Sequence, residues 1–254
     1  MTRIYLPQAQ APNLVFYPAP KPNGHGILII PGGGYATVVL DGEGSDAVQF
    51  FNDRGWHAWV LEYSTTLNAP APLYPKPIIE ALEAVTQIRA QGVLTTGKLG
   101  VVGFSAGAHL ASLLSTNNYN LDPSTSNGTL QRNRHVDFGI LAYGVISMET
   151  PAAHLPSRDR LLGPDPSPEL ARSVSPQYLV NGRTPPVFLF HTANDPVVKA
   201  QNALVFASAM ADAGRPFELL VLPDGPHGVH LGVDGPKVAW QDILNRWLGQ
   251  HILS

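Results

Sequence analysis

The sequence predicts an α/β fold, a mostly parallel twisted sheet with helices on both faces. Short apolar runs bounded by turn residues alternate along the chain with longer segments of helical period. Within Ile78-Ile79-Ala81-Leu82-Val85-Ile88 the apolar residues fall three and four apart, so one face can lie on a sheet while Glu80, Glu83 and Gln87 face outward. No internal repeat or long linker interrupts this order in the 254 residues, so residues 1–254 read as a single domain.

In chain order, strands are expected at 4–6, 14–17, 26–30, 57–62, 99–103, 138–142, 187–191 and 218–222. The helical segments that separate them are 43–54, 76–91, 106–115, 199–213 and 237–249. The run Ile27-Leu28-Ile29-Ile30 follows Pro18, Pro20, Lys21 and Pro22 and is short, which fits a buried strand and neither a signal peptide nor a membrane span. Two stretches break the rhythm. Residues 117–135 are polar and rich in turn formers, and residues 144–186 carry eight prolines. An excursion as long as the second is uncommon in a compact domain unless it serves function or holds short helices of its own, so 144–186 is the candidate lid or pocket wall.

Composition removes several function classes. Charged residues are 14% and the formal net charge is −3, without the clustered Lys and Arg that phosphate neutralisation needs, so nucleic acid is not an expected partner. The chain has no Cys, which excludes disulfides, Cys-ligated zinc, iron–sulfur clusters and thiol catalysis. The expectation is a cytoplasmic protein with no membrane partner; the composition leaves its oligomeric state open.

The chemistry is carried by Gly103-Phe104-Ser105-Ala106-Gly107, a G-x-S-x-G sequence directly after a predicted strand and directly before a predicted helix. Three fixed positions arise by chance in roughly a tenth of chains this long, so the strand before and the helix after are what give the match its weight. A serine at such a turn points its hydroxyl into a site above a helix N-terminus, where the amide of Ala106 is free to stabilise an oxyanion. Serine needs a base, and the base needs an orienting carboxylate. Asp195 follows the strand that ends at His191, and His227 follows the strand that ends at Leu222, 32 residues further on. Acid and histidine therefore come after the nucleophile in the order expected, and all three emerge at one edge of the sheet. His230 is the competing base and Asp224 the alternative acid, although Asp224 lies close in sequence to His227. Taken singly, His227 and Asp195 are also ordinary turn residues.

Ile30-Pro31-Gly32-Gly33-Gly34-Tyr35 closes the first long buried strand with three glycines. It lacks the G-K-[ST] sequence or G-x-G-x-x-G pattern of a phosphate loop, and fits a second oxyanion donor supplied by the amides of Gly33 and Gly34. Tyr35 and Tyr143 are candidate walls of the substrate pocket.

These residues resemble the α/β-hydrolase superfamily, and within it the compact esterases with a P-G-G-G-Y loop, which include acetylxylan esterases and bifunctional acetylxylan/feruloyl esterases. Pro31 to Tyr35, Glu43-Gly44, Gly103 to Ala111, Ser157 to Gly163, Pro185-Pro186, His191 to Val198 and Gly225 to Leu231 carry the resemblance. It implies an α/β-hydrolase fold, a triad of Ser105, Asp195 and His227, and a small-molecule ester as substrate. Two positions depart from the family pattern. Ala108 stands where a second glycine is usual after G-F-S-A-G, and Lys199 replaces a usual proline. The expected activity is that of a serine carboxylesterase acting on small acetyl-type esters, of carbohydrates or phenolic acids, through an acyl-enzyme and without a cofactor or metal. A histidine base must be neutral, so activity is expected to fall below about pH 6. The same triad would serve an amide-cleaving hydrolase of arylformamidase or peptidase type, and the scaffold could also carry a non-catalytic small-molecule receptor.

Overall fold

The structure is a computed structural model, and it describes residues 4–5, 13–95, 97–116, 135–231 and 240–253. Among the described residues the strands are β1 (Ile4–Tyr5), β2 (Asn13–Tyr17), β3 (Gly26–Ile30), β4 (His57–Glu62), β5 (Leu99–Phe104), β6 (Phe138–Ala142), β7 (Val187–Thr192) and β8 (Phe217–Leu222). They form one sheet in the order β1-β2-β4-β3-β5-β6-β7-β8. The β1–β2 and β2–β4 pairs are antiparallel and all the others parallel, so only the short N-terminal edge departs from the parallel plan. Among the described residues the α-helices are α1 (Ser45–Asn52), α2 (Lys76–Ala90), α3 (Ala106–Thr116), α4 (Leu155–Leu162), α5 (Pro168–Ser173), α6 (Gln201–Asp212) and α7 (Gln241–His251).

Side-chain alternation along the strands decides which layer each residue joins. Ile27, Ile29, Val60, Val102 and Phe104 face α1 and α7, packing with Val48, Phe51, Leu244 and Trp247. Leu28, Ile30, Leu61 and Val101 face the other way, onto α2, α3 and α6 with Leu82, Val85, Leu110, Phe206 and Met210. Two apolar layers thus sandwich β3 to β7, whose residues are almost all buried, and the helices cover both faces as expected. Among the described residues no helix is long and apolar enough to cross a membrane.

The proline-rich excursion is built from short packed elements. Ser167 caps α5, its hydroxyl accepting from the Leu170 amide at 3.2 Å, and prolines occupy the opening turns of both α4 and α5, where a missing amide hydrogen costs nothing. Leu161, Leu162, Ala171 and Val174 are buried in the main core. The Leu73 and Tyr74 amides donate to the carbonyls of Arg160 and Leu161, and Asn202 of α6 accepts from the Ile146 and Ser147 amides. Residues 117–134, most of the other irregular stretch, and the start of the last predicted helix lie outside the described residues.

Candidate active site

The site begins at the turn between β5 and α3. Ser105 has φ +49°, a left-handed conformation that a non-glycine residue holds only when its surroundings enforce it. The enforcement is steric and hydrogen-bonded. A Cβ on Gly103 would lie 2.6 Å from the Ala108 Cα, and one on Gly107 would overlap the carbonyl oxygens of Ile30 and Pro31, so strand and helix meet at a distance only glycine permits. The Ser105 amide donates to Ala142 of β6, and its carbonyl accepts from Ala108 and Val145. Ala108, one of the two departures from the family pattern, is helical and buried. It fits because a glycine faces it: a Cβ at Gly144 would come within 2.7 Å of the Ala108 methyl.

Ser105 Oγ lies 2.8 Å from His227 Nε2, and His227 Nδ1 lies 2.8 Å from Asp195 Oδ2. The remaining oxygen of Asp195 accepts from the amides of Val197 and Val198 at 2.8 and 2.9 Å, fixing the carboxylate in the turn after β7. Burial alone would push the Asp195 carboxyl up, but the hydrogen bonds from His191, His227 and the two amides outweigh it and hold it well below the usual carboxylate range. An ionised Asp195 favours the His227 tautomer with its hydrogen on Nδ1, which leaves Nε2 to accept from the serine hydroxyl. Ser105 is 7% exposed and the His227 side chain 17%, so the pair is recessed yet open to a small reactant.

The glycine loop adjoins the elbow. A Cβ at Gly32 would sit 2.7 Å from the Ser105 Cβ, so the two turns are in direct contact. The loop's own turn bonds are donated by Ala36, Thr37 and Val39, and the amides of Gly33 and Gly34 take no part in them. The Ala106 amide, in the first turn of α3, has no intrahelical acceptor. Three braces hold the loop in place. Tyr63 Oη donates to the Pro31 carbonyl at 2.9 Å, the Gly32 amide donates to Glu43 Oε2 at 2.5 Å, and Arg160 Nη1 donates to the Gly34 carbonyl at 3.0 Å.

The two tyrosines expected to wall the pocket are both buried. Tyr35 is 0% exposed, and its hydroxyl bonds His109 Nδ1 at 2.7 Å inside the core. The His109 Nε2 must donate to the Val174 carbonyl 2.6 Å away, so Nδ1 is the acceptor and Tyr35 the donor. Burial accordingly pushes the His109 imidazole down to about 4, against a smaller upward pull from the Val174 carbonyl. Tyr143 is 1% exposed; its hydroxyl donates to Glu43 Oε1 at 3.0 Å and its ring stands edge-on to His227, centroids 5.1 Å apart. Both have positive φ, +61° and +38°, which turns their side chains into the interior at points where a simple strand-to-loop reading sends them outward.

The alternatives to the triad are occupied elsewhere. Asp224 accepts from Asn194 at 2.8 Å, and His230 Nδ1 faces Asp46 at 3.8 Å. Lys199, the other departure, donates to the Pro151 carbonyl. Four further residues shape the site without having been singled out for it. His191 Nε2 lies 2.8 Å from the Val198 carbonyl and 3.5 Å from Asp195, and its position four residues before the acid is a signal that could have marked it. Glu43 is buried in a turn that was expected to be the start of a helix. Arg160 and His154 stand on the α4 side; His154 Nδ1 is 2.7 Å from Ser157 Oγ, and burial, then the charges of His227 and Arg160, push its imidazole down.

A serine, histidine and aspartate on the carboxyl edge of this sheet, beside a glycine-rich loop, are the arrangement of the α/β-hydrolase fold. Residues 14–210 match the BD-FAE family model, and the chain belongs to the BD-FAE family. It is 33% identical over 228 residues to endo-1,4-beta-xylanase B of Butyrivibrio fibrisolvens, covering 88% of this chain and 34% of that protein. It is 29% identical over 241 residues to an acetylxylan esterase of Xylanibacter ruminicola, covering 92% of this chain and 46% of that protein. The chain thus spans less than half the length of these curated relatives. Among solved structures, an acetyl ester-xyloside bifunctional hydrolase from Caldicellulosiruptor lactoaceticus superposes with a TM-score of 0.84 at 33% identity, covering 95% of this chain and 89% of that one.

Proposed function

We propose that the protein is a serine carboxylesterase that hydrolyses small acetyl-type esters, of carbohydrates or phenolic acids, through a covalent acyl-enzyme. The observation that carries this reading is the unbroken relay Ser105–His227–Asp195, with 2.8 Å at each step. His227 Nε2 takes the Ser105 proton as Oγ attacks the ester carbonyl carbon, and Asp195 steadies the imidazolium. The amides of Gly33, Gly34 and Ala106 receive the oxyanion, each such donor contributing about 3 to 4 kcal/mol to the transition state. The intermediate collapses with cleavage of the carbon–oxygen bond to the alcohol, which leaves carrying the proton from His227. Water, deprotonated by the same histidine, then attacks the acyl-enzyme and releases the acid and the serine hydroxyl.

The substrate class is supported by the acetylxylan esterase and acetyl ester-xyloside hydrolase among the relatives. Turnover of p-nitrophenyl esters of rising acyl length, acetylated xylo-oligosaccharides and methyl ferulate, with an acetanilide as the amide control, tests it. Acetyl esters are expected to be the best substrates and the amide to be cleaved at least a hundredfold more slowly. Comparable amide cleavage would move the protein to the amide-cleaving class, and binding of intact ester without turnover would make it a receptor.

A further inference from the structure

Glu43 is 4% exposed and, among the described residues, forms no ion pair with a Lys or Arg. A buried carboxylate without a cation is costly. Both of its oxygens are nevertheless engaged, and each engages a different part of the site. Oε2 accepts from the amide of Gly32, the residue whose backbone abuts the Ser105 Cβ. Oε1 accepts from the hydroxyl of Tyr143, whose ring forms the edge-on support of His227. Two donors on two oxygens are the arrangement of the ionised form.

We propose that Glu43 is a positioning residue that joins the oxyanion loop to the triad histidine, and that its negative charge favours the imidazolium formed as Ser105 gives up its proton. The proposal rests on the esterase reading above. The Gly33 and Gly34 amides can aim at an oxyanion only if the segment before them is fixed, and Glu43 fixes it at Gly32. The charge acts when His227 becomes positive, so its effect belongs to the transition state rather than to substrate binding. Burial pushes the Glu43 carboxyl up, while the Gly32 amide, the Tyr143 hydroxyl and the two histidines His230 and His227 draw it back. The titratable groups around it are Tyr63 just after β4, Tyr143 after β6, His227 and His230 in the loop after β8, and Asp46 of α1, which faces His230.

The test is the pH dependence of p-nitrophenyl acetate hydrolysis by wild type, Glu43→Gln and Glu43→Asp, with labelling of Ser105 by a fluorophosphonate run on each. Glu43→Gln keeps an acceptor oxygen and removes the charge. Its kcat is expected to fall about tenfold with KM within about twofold of wild type, and the acid limb of kcat/KM to move about half a unit to lower pH. Glu43→Asp keeps the charge on a shorter arm; its kcat falls while the limb stays in place. A role confined to folding would lower thermal stability in both variants and leave the limb unmoved in both, which overturns the proposal. If Glu43→Gln does not fold, Glu43→Asp decides: wild-type kcat in that variant is contradictory, and reduced kcat at unchanged KM is supportive. A wild type that neither turns over the ester nor takes the label overturns the esterase reading and this proposal with it. An active wild type beside a fully active Glu43→Gln with an unmoved limb overturns this proposal alone.

Discussion

His227 Nδ1 and Asp195 Oδ2 stand 2.8 Å apart, although 32 residues separate them in the chain. Strand β8 lies beside β7 in parallel register, so the turns that follow both strands open at the same edge of the sheet and bring the two groups together. The carboxylate's other oxygen is held by two amides, and Oδ2 is left to His227 at 2.8 Å and, at 3.5 Å, to His191.

Replacing Asp195 with Asn removes that orientation and the charge while keeping the shape. A fall in kcat of about 10⁴-fold is expected, with KM changed far less, since the lost interaction is one made in the transition state. Steady-state kinetics on the folded variant check this. A variant within tenfold of wild type would mean that Asp195 is only a turn residue.

Tyr35→Phe distinguishes a core prop from a pocket wall. Its hydroxyl is the donor to a buried His109 Nδ1, so its loss should cost about 1 to 3 kcal/mol of stability. KM for small esters should be unchanged. Chemical denaturation beside steady-state kinetics gives both numbers, and a raised KM at unchanged stability would restore Tyr35 to the pocket.

Gly107→Ala should destabilise the fold by about 2 to 4 kcal/mol, because the new methyl meets the Ile30 and Pro31 carbonyls across the strand–helix junction. Urea titration measures it. Wild-type stability in this variant would contradict the close approach on which the elbow depends.

Acid stability carries a signature of His109. Its imidazole titrates near 4 in the folded protein against about 6.5 when unfolded, so below pH 6.5 the unfolded chain binds the extra proton first. Stability from this residue is fully present above pH 6.5 and is lost as pH falls toward 4, up to about 3 kcal/mol in all. His25, His57 and His154 are shifted the same way, and Glu43 and Glu80 the opposite way, so the diagnostic is a difference. His109→Gln should be less stable than wild type at pH 7.5, and the gap should narrow toward pH 4.5 in thermal melts. A gap of constant size across that range would contradict the assignment. Asp195, held below the usual carboxylate range, loses its contribution only at more acid pH and does not interfere.

Much of this architecture was legible because β3 to β7 are buried on both faces and so read as unbroken apolar runs, while α2 shows its period plainly. The strands found differ from those expected by at most a residue at either end. The geometric coincidence at the sheet edge was legible too, since it depends only on which strand each loop follows. What escaped notice depends on side-chain direction. Tyr35 and Tyr143 turn inward through positive φ angles, which residue type does not announce. Glu43 lies in a turn where Gly42 has φ +77°, so its burial follows from a backbone reversal that an acidic residue near a helix start conceals. In the 144–186 excursion the prolines suggested an irregular segment. Ser167-Pro168-Glu169 is in fact a helix start, with a capping serine, proline next and an acid in the first turn, and local reading could have found it.

The central claim is that Ser105 is an activated nucleophile, and intact-protein mass spectrometry after treatment with a fluorophosphonate tests it most directly. Wild type should gain a single phosphonyl group, mapped to Ser105 by peptide analysis, and Ser105→Ala should gain none. A wild type that stays unmodified, or a Ser105→Ala variant that is modified as readily as wild type, would contradict the account.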